Sequence, residues 1–257
     1  KIVVALVAML CCALWGSAFP VIKIGYKFFN ISGVDTASQI LFAGVRFLIA
    51  GFLTILLGSI FADKFIVIKK KENFKKIGIL AIFQTILQYV FFYVGLAHTT
   101  GTKSSVLDST SVFFAVLISC LIFKMEKLSV NKIIGCIIGF AGVVLINITP
   151  GVSLGSFKFN GEGFIIISAL SYAFSSVLVS NYSKDESPVA LSGYQFMLGG
   201  GVMIIAGLLF GGRLKFSSLP SYAVVMYLAL LSACAYTLWG ILLKYNKVSQ
   251  VSIYGFM

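Results

Sequence analysis

Apolar runs of about 20 residues recur eight times along this chain, and a ninth begins near residue 249. A bilayer core needs roughly 20 apolar residues per helix, and in lipid every backbone polar group must be satisfied within the segment. These runs restrict the chain to an all-α class, a polytopic transmembrane helix bundle. The predicted spans are 2–22, 38–61, 76–97, 104–123, 130–148, 162–180, 190–210 and 222–243. The linkers, among them "NISGVD", "HTTGTK", "SKDESP" and "GGRLKFSSLP", carry turn residues and are too short for a soluble domain. Charged residues make up only 11% of the chain, against about 25% in soluble domains.

The first run, "KIVVALVAMLCCALWGSAFP", imitates a secretory signal. It is longer than the 7–15-residue apolar core of a signal peptide and has Trp15 and Pro20 where cleavage would fall. It is therefore read as the first span. A start at Lys1 and an apolar segment interrupted at Met257 are read as fragment boundaries.

The net charge of +12 would suggest nucleic acid in a soluble protein, but here the lysines gather between spans, notably in "DKFIVIKKKENFKK". Thirteen of the 20 Lys and Arg residues fall on the side of Lys1, six on the other, and Arg46 inside a span. That bias predicts a cytoplasmic N-terminus and a multi-pass plasma-membrane protein. The five cysteines lie in apolar runs without metal-ligand spacing, so neither disulfides, a metal site nor a cofactor is expected.

The chain also repeats itself. "AGVRFLIAG" (43–51) aligns with "SGYQFMLGG" (192–200), matching Gly44 to Gly193, Arg46 to Gln195 and Phe47 to Phe196. "QYVFFYVGL" (88–96) aligns with "AYTLWGILL" (235–243), matching Tyr89 to Tyr236 and Phe92 to Trp239, while Trp15 faces Tyr172. Five spans separate the copies, and an odd number turns the second copy upside down. The expectation is two inverted five-helix repeats, with ten spans in the intact protein and about eight and a half present here. The first repeat is placed at 1–148 and the second at 160–257.

These segments, with "TTGTKSSVLDSTSVFFAVLISCLIFKMEKLSVNKIIGCIIGFAGVVLI" and "SALSYAFSSVLVSNYSK", resemble the EamA family of the drug/metabolite transporter superfamily. The resemblance covers nearly the whole chain. It implies a secondary transporter with a central cavity between the repeats, exporting amino acids, other metabolites or toxic compounds. The chain departs from the family in having Val112 where many members carry proline, Asp108 where a neutral residue is frequent, and Glu126 without its preceding glycine.

Arg46 costs roughly 2.5–3.5 kcal/mol to place in mid-membrane, so it must face protein or water. It is about 12 Å deep and Asp108 roughly 7 Å, depths compatible with an ion pair. The pair is either structural, or Asp108 titrates, or one of the two meets substrate. Gln84 and Gln88 share a helix face and suit a cavity or an interhelical bond. Ser168, Ser171 and Ser175, with Tyr172 between them, suit a cavity or tight packing. Trp15, Tyr236 and Trp239 complete the candidate lining, Trp15 serving as wall or as packing. His98 is read as a solvated loop residue, and Lys103 as an interfacial lysine or an anion attractor. Gly135, Gly139, Gly142, Gly207 and Gly211 are read as helix contacts.

An intramembrane enzyme needs paired carboxylates, a zinc helix or a Ser/His arrangement, which one histidine and one intramembrane carboxylate do not supply. A channel lacks a visible filter or charged ring. The expected partners are the lipid bilayer, a small-molecule solute and protons; the oligomeric state stays open.

Overall fold

A computed structural model describes residues 2–68, 70–147 and 157–256. Lys1, Lys69, residues 148–156, which hold the end of the expected first repeat and part of the linker after it, and Met257 lie outside the described residues. Among the described residues eight long helices follow one another: α1 (Ile2–Phe28), α2 (Thr36–Phe61), α3 (Glu72–His98), α4 (Gly101–Ile122), α5 (Val130–Asn147), α6 (Phe159–Tyr182), α7 (Pro188–Leu209) and α8 (Leu219–Tyr245). A short helix, α9 (Val248–Ser252), continues into a 3-10 turn at Ile253–Phe256. Seven of them, all but α5, are long and apolar enough to cross a membrane, counted over the described residues. Most helices run a turn beyond the predicted limits, and α1 passes through Pro20 without breaking.

Local chemistry sets the ends. Asp35 caps α2 by accepting from the Ser38 amide at 3.0 Å, and Thr100 caps α4 through Lys103 at 3.2 Å. Proline stands in the first turn of α7 and of α8, where its missing N–H costs nothing. Asn30, Asp63 and Lys124 take left-handed backbone after α1, α2 and α4. Gly211 does so after α7, where the Gly212 amide returns to the Gly207 carbonyl at 2.8 Å.

The centre of the bundle is the contact of α2 with α7, made through glycine. Gly44 lies against the Gly200 carbonyl, and Gly51 against the Gly193 carbonyl. A Cβ on Gly200 would stand 2.5 Å from the Leu48 amide nitrogen, so backbone meets backbone with no room for a side chain. The contacts are reciprocal in the terms of the sequence repeat, because Gly44 matches Gly193 and Gly51 matches Gly200. Matched residues also meet each other. Phe47 stacks with Phe196 at 5.0 Å, the Tyr89 and Tyr236 hydroxyls are 2.5 Å apart, and Trp15 meets Tyr172 edge-on at 5.8 Å.

Gly207 presses on Leu41, as a contact glycine should. Gly135, Gly142 and Gly211 face open space, so the expected helix contacts are not made there. Around the first two, α5 presents Ile133, Ile134, Ile137, Ile138 and Phe140 outward, which leaves it the most loosely held of the long helices.

Candidate functional site

A cavity of about 1100 Å³ opens inside the bundle. Take the face holding the start of α1 as the near face. The cavity then runs from Lys23, Lys27 and Gly101, toward the far face, down to Cys12, Trp239 and Ser252. Seven of the candidate residues line it: Trp15, Arg46, Gln88, Asp108, Tyr172, Tyr236 and Trp239. Trp15 is its hub, meeting Tyr172, Tyr236 and Trp239 edge-on at 5.8, 5.2 and 5.1 Å. Such perpendicular ring pairs are the favoured aromatic geometry and make a stiff apolar wall.

Three candidates stand elsewhere. The Ser171 hydroxyl donates to the Phe83 carbonyl at 2.7 Å and that of Ser175 to the Tyr172 carbonyl at 2.8 Å, so both serve packing and not the lining. Gln84 is buried off the cavity, in a π-helical stretch of α3 (Ala81–Leu87). On α6 the cavity-facing pair is Tyr172 with Ser176, four residues apart. Sequence reasoning passed over Ser176 because serines at 168, 171 and 175 formed a more regular stripe.

Arg46 and Asp108 do not form an ion pair. The guanidinium is 1% exposed and donates through Nη1 to the Tyr93 hydroxyl (2.7 Å), through Nη2 to Ser232 Oγ (2.7 Å) and through Nε to the Leu228 carbonyl (3.3 Å). Its plane lies 4.6 Å over the Phe47 ring. Similar depth was not sufficient, because Arg46 points toward α3 and α8 while Asp108 looks into the cavity from α4. Next to Asp108 the helix tightens. Thr110, Val112 and Phe113 bond three residues back, to Leu107, Ser109 and Thr110, instead of four.

Gln88 donates to the Tyr236 hydroxyl at 3.1 Å, and its own Oε1 is buried without a partner among the described residues. Trp15 Nε1 is likewise buried and unpartnered.

Acidic residues are tied down at both faces of the bundle. At the far face Glu162 accepts from Thr99 Oγ1 (2.8 Å) and the Lys158 amide (2.9 Å), with Lys103 Nζ at 3.7 Å. Lys103 is thus paired, and Lys23 Nζ is spent on the Thr99 carbonyl at 2.7 Å. His98 bonds the Val94 carbonyl of its own helix. At the near face Asn73 donates to Glu186 at 2.8 Å, and Lys76 pairs with Asp185 at 2.7 Å, which holds the Asp185 carboxyl below its ordinary range. Glu126 takes Lys132 Nζ at 2.8 Å and both the amide and the hydroxyl of Ser249, fastening the start of α9. Burial opposes its charge, but the bonds from Lys132 and Ser249 outweigh burial and hold the carboxyl below its ordinary value.

A model of the EamA-like transporter family matches residues 2–148 and 159–257. An uncharacterized transporter of Archaeoglobus fulgidus is 32% identical over 193 residues, 74% of this chain and 52% of that protein. The uncharacterized inner membrane transporter YedA of Escherichia coli K12 is 29% identical over 84% of this chain and 66% of its own length. A relative from Acidianus ambivalens, also an uncharacterized transporter, is 26% identical over 84% of this chain and 78% of its own. The chain spans little more than half the length of the two Archaeoglobus fulgidus proteins it matches, 52% and 60%. One crystal structure superposes with a TM-score of 0.72 over 98% of this chain and 83% of that chain, at 17% identity, a likeness of fold.

Proposed function

The chain belongs to the EamA-like transporter family, and on that premise we propose that it is a secondary carrier moving small solutes across the plasma membrane by alternating access. The observation that carries this reading is the cavity itself. Polar and aromatic groups from α1, α2, α3, α4, α6 and α8 converge on a space of solute size, in whose lining Trp15 and Trp239 meet at 5.1 Å.

The reciprocal glycine contacts of α2 and α7 support two inverted halves rocking about that seam. In this reading the near face is cytoplasmic, in keeping with its lysines, and export follows the family resemblance. The solutes are small metabolites, amino acids or drug-like molecules. Asp108 is the candidate for coupling to protons.

Full-length protein in liposomes, offered amino acids and organic cations with and without a pH gradient, tests the proposal. Saturable flux with counterflow is expected; no movement of any solute under any gradient would refute it. Full transport with unchanged pH dependence in Asp108→Asn would remove that residue from coupling.

A further inference from the structure

Asp108 is a carboxylate in the membrane interior without a counter-charge. Among the described residues it makes no hydrogen bond and no ion pair. The cations that could neutralise it are engaged elsewhere: Arg46 with Tyr93, Ser232 and Leu228, Lys23 with the Thr99 carbonyl, and Lys103 with Glu162. Lys27 is exposed at the rim, where water and salt screen it. Intramembrane carboxylates are costly and persist where they face a partner or a water-filled path.

We propose that the missing counter-ion is an ammonium group of the transported solute, an inference that rests on the carrier reading above. The walls opposite Asp108 suit a cation. Tyr172 lies within electrostatic reach of the carboxylate, and with Trp15 and Tyr236 it turns aromatic rings toward the same space. Ring faces attract ammonium groups, most strongly where water is excluded. Gln88, in the same lining, has a buried Oε1 to which no group donates among the described residues. Trp15 Nε1 is one neutral donor and does not balance the charge of an anion. The tightened turn at Ser109–Thr110 fixes Asp108 at a break in α4, the kind of interruption that carriers place beside bound charge. Asp108 is thus the residue that selects for charge, and the rings accept whatever apolar body the amine carries.

The test uses three probes of similar size: phenethylamine, charged at neutral pH, phenethyl alcohol and 3-phenylpropionate. Trp15 and Trp239 are the two tryptophans of the chain and both line the cavity, so their fluorescence reports occupancy in the purified protein. The amine is expected to bind at least about tenfold more tightly than either other probe. Asp108→Asn should abolish that preference and Asp108→Glu restore most of it. Tyr172→Leu should weaken the amine more than the alcohol, an independent check should the Asn variant not fold. A preference that survives in Asp108→Asn, equal binding of the alcohol or the carboxylate to the unaltered protein, or binding of none of the three overturns the proposal. Flux of the carboxylate or alcohol without the amine overturns it too and leaves the carrier reading standing. Amine binding lost in Asp108→Asn, but with no flux of any solute, upholds the site and defeats the carrier reading.

Discussion

Arg46 and Gln195 occupy matching places in the two sequence copies, and their surroundings match too. Arg46 donates to Ser232, while Gln195 accepts from Thr85 at 2.5 Å; Ser232 and Thr85 are themselves partners in the repeat. Phe47 lies 4.1 Å from Tyr89, and its counterpart Phe196 lies 5.1 Å from Tyr236. The difference is in what surrounds this shared frame. Tyr93 supplies Arg46 with a phenol, but the matching position is Gly240, which sits near Pro188. Gln195 keeps one bond, and its Nε2 is buried without a partner. One copy thus offers a buried guanidinium a phenol acceptor that the other lacks. The common frame is steric and the specialisation is polar.

The harshest way to break the comparison is to fill the seam on which it rests. Gly200→Val should abolish monodisperse protein in size-exclusion chromatography, since its Cβ would meet the Leu48 amide and overpacking of this kind costs about 1–3 kcal/mol or more. Gly78→Ala, where a Cβ meets nothing, should leave the profile unchanged. Next comes the feature that sets the copies apart. Tyr93→Phe leaves the Arg46 Nη1 without its acceptor and should destabilise by about 1–3 kcal/mol in thermal or denaturant unfolding. A smaller effect sharpens the comparison directly. Double-mutant cycles should give a coupling of about 0.6 kcal/mol for Thr85–Gln195 and roughly twice that for Arg46–Ser232, because charge strengthens the second bond. Equal couplings would mean that the two sites differ in sequence alone.

The smallest effect tests by pH the Glu126 fastening at the near face. Glu126 has its carboxyl lowered in the folded protein, so its contribution is whole above the ordinary carboxylate value and is lost as pH falls through the lower folded one. The unfolding midpoint should therefore be flat near neutrality and decline in acid. Glu126→Gln should flatten part of that decline. An unchanged profile would show that the fastening of α9 does not depend on charge.

Helix number, order and approximate limits were legible in the sequence, because spans are set by length and hydropathy. Rotation about each helix axis was not. In lipid the outward face is as apolar as the packed one, so nothing in the stripe of Ser168, Ser171 and Ser175 marks the cavity side as Tyr172 and Ser176. Depth can be counted along a helix, which made an Arg46–Asp108 pair plausible; azimuth cannot, and it sends Arg46 to Tyr93 and Ser232. Residues matched in the repeat alignment, Phe47 with Phe196 and Tyr89 with Tyr236, touch in the structure, a contact that the alignment did not state.

The glycine seam between α2 and α7 has a mechanical consequence. Helices whose side chains interlock pass each other in one-turn jumps, as ridges leave one set of grooves for the next. Gly44, Gly51, Gly193 and Gly200 bring backbone to backbone, and side chains fill the gaps they leave: Met197 stands against Gly51, Ile55 against Gly193 and Ile204 against Gly44. The seam is therefore keyed as well as close, and sliding α2 along α7 would first have to lift those side chains out of the glycine gaps.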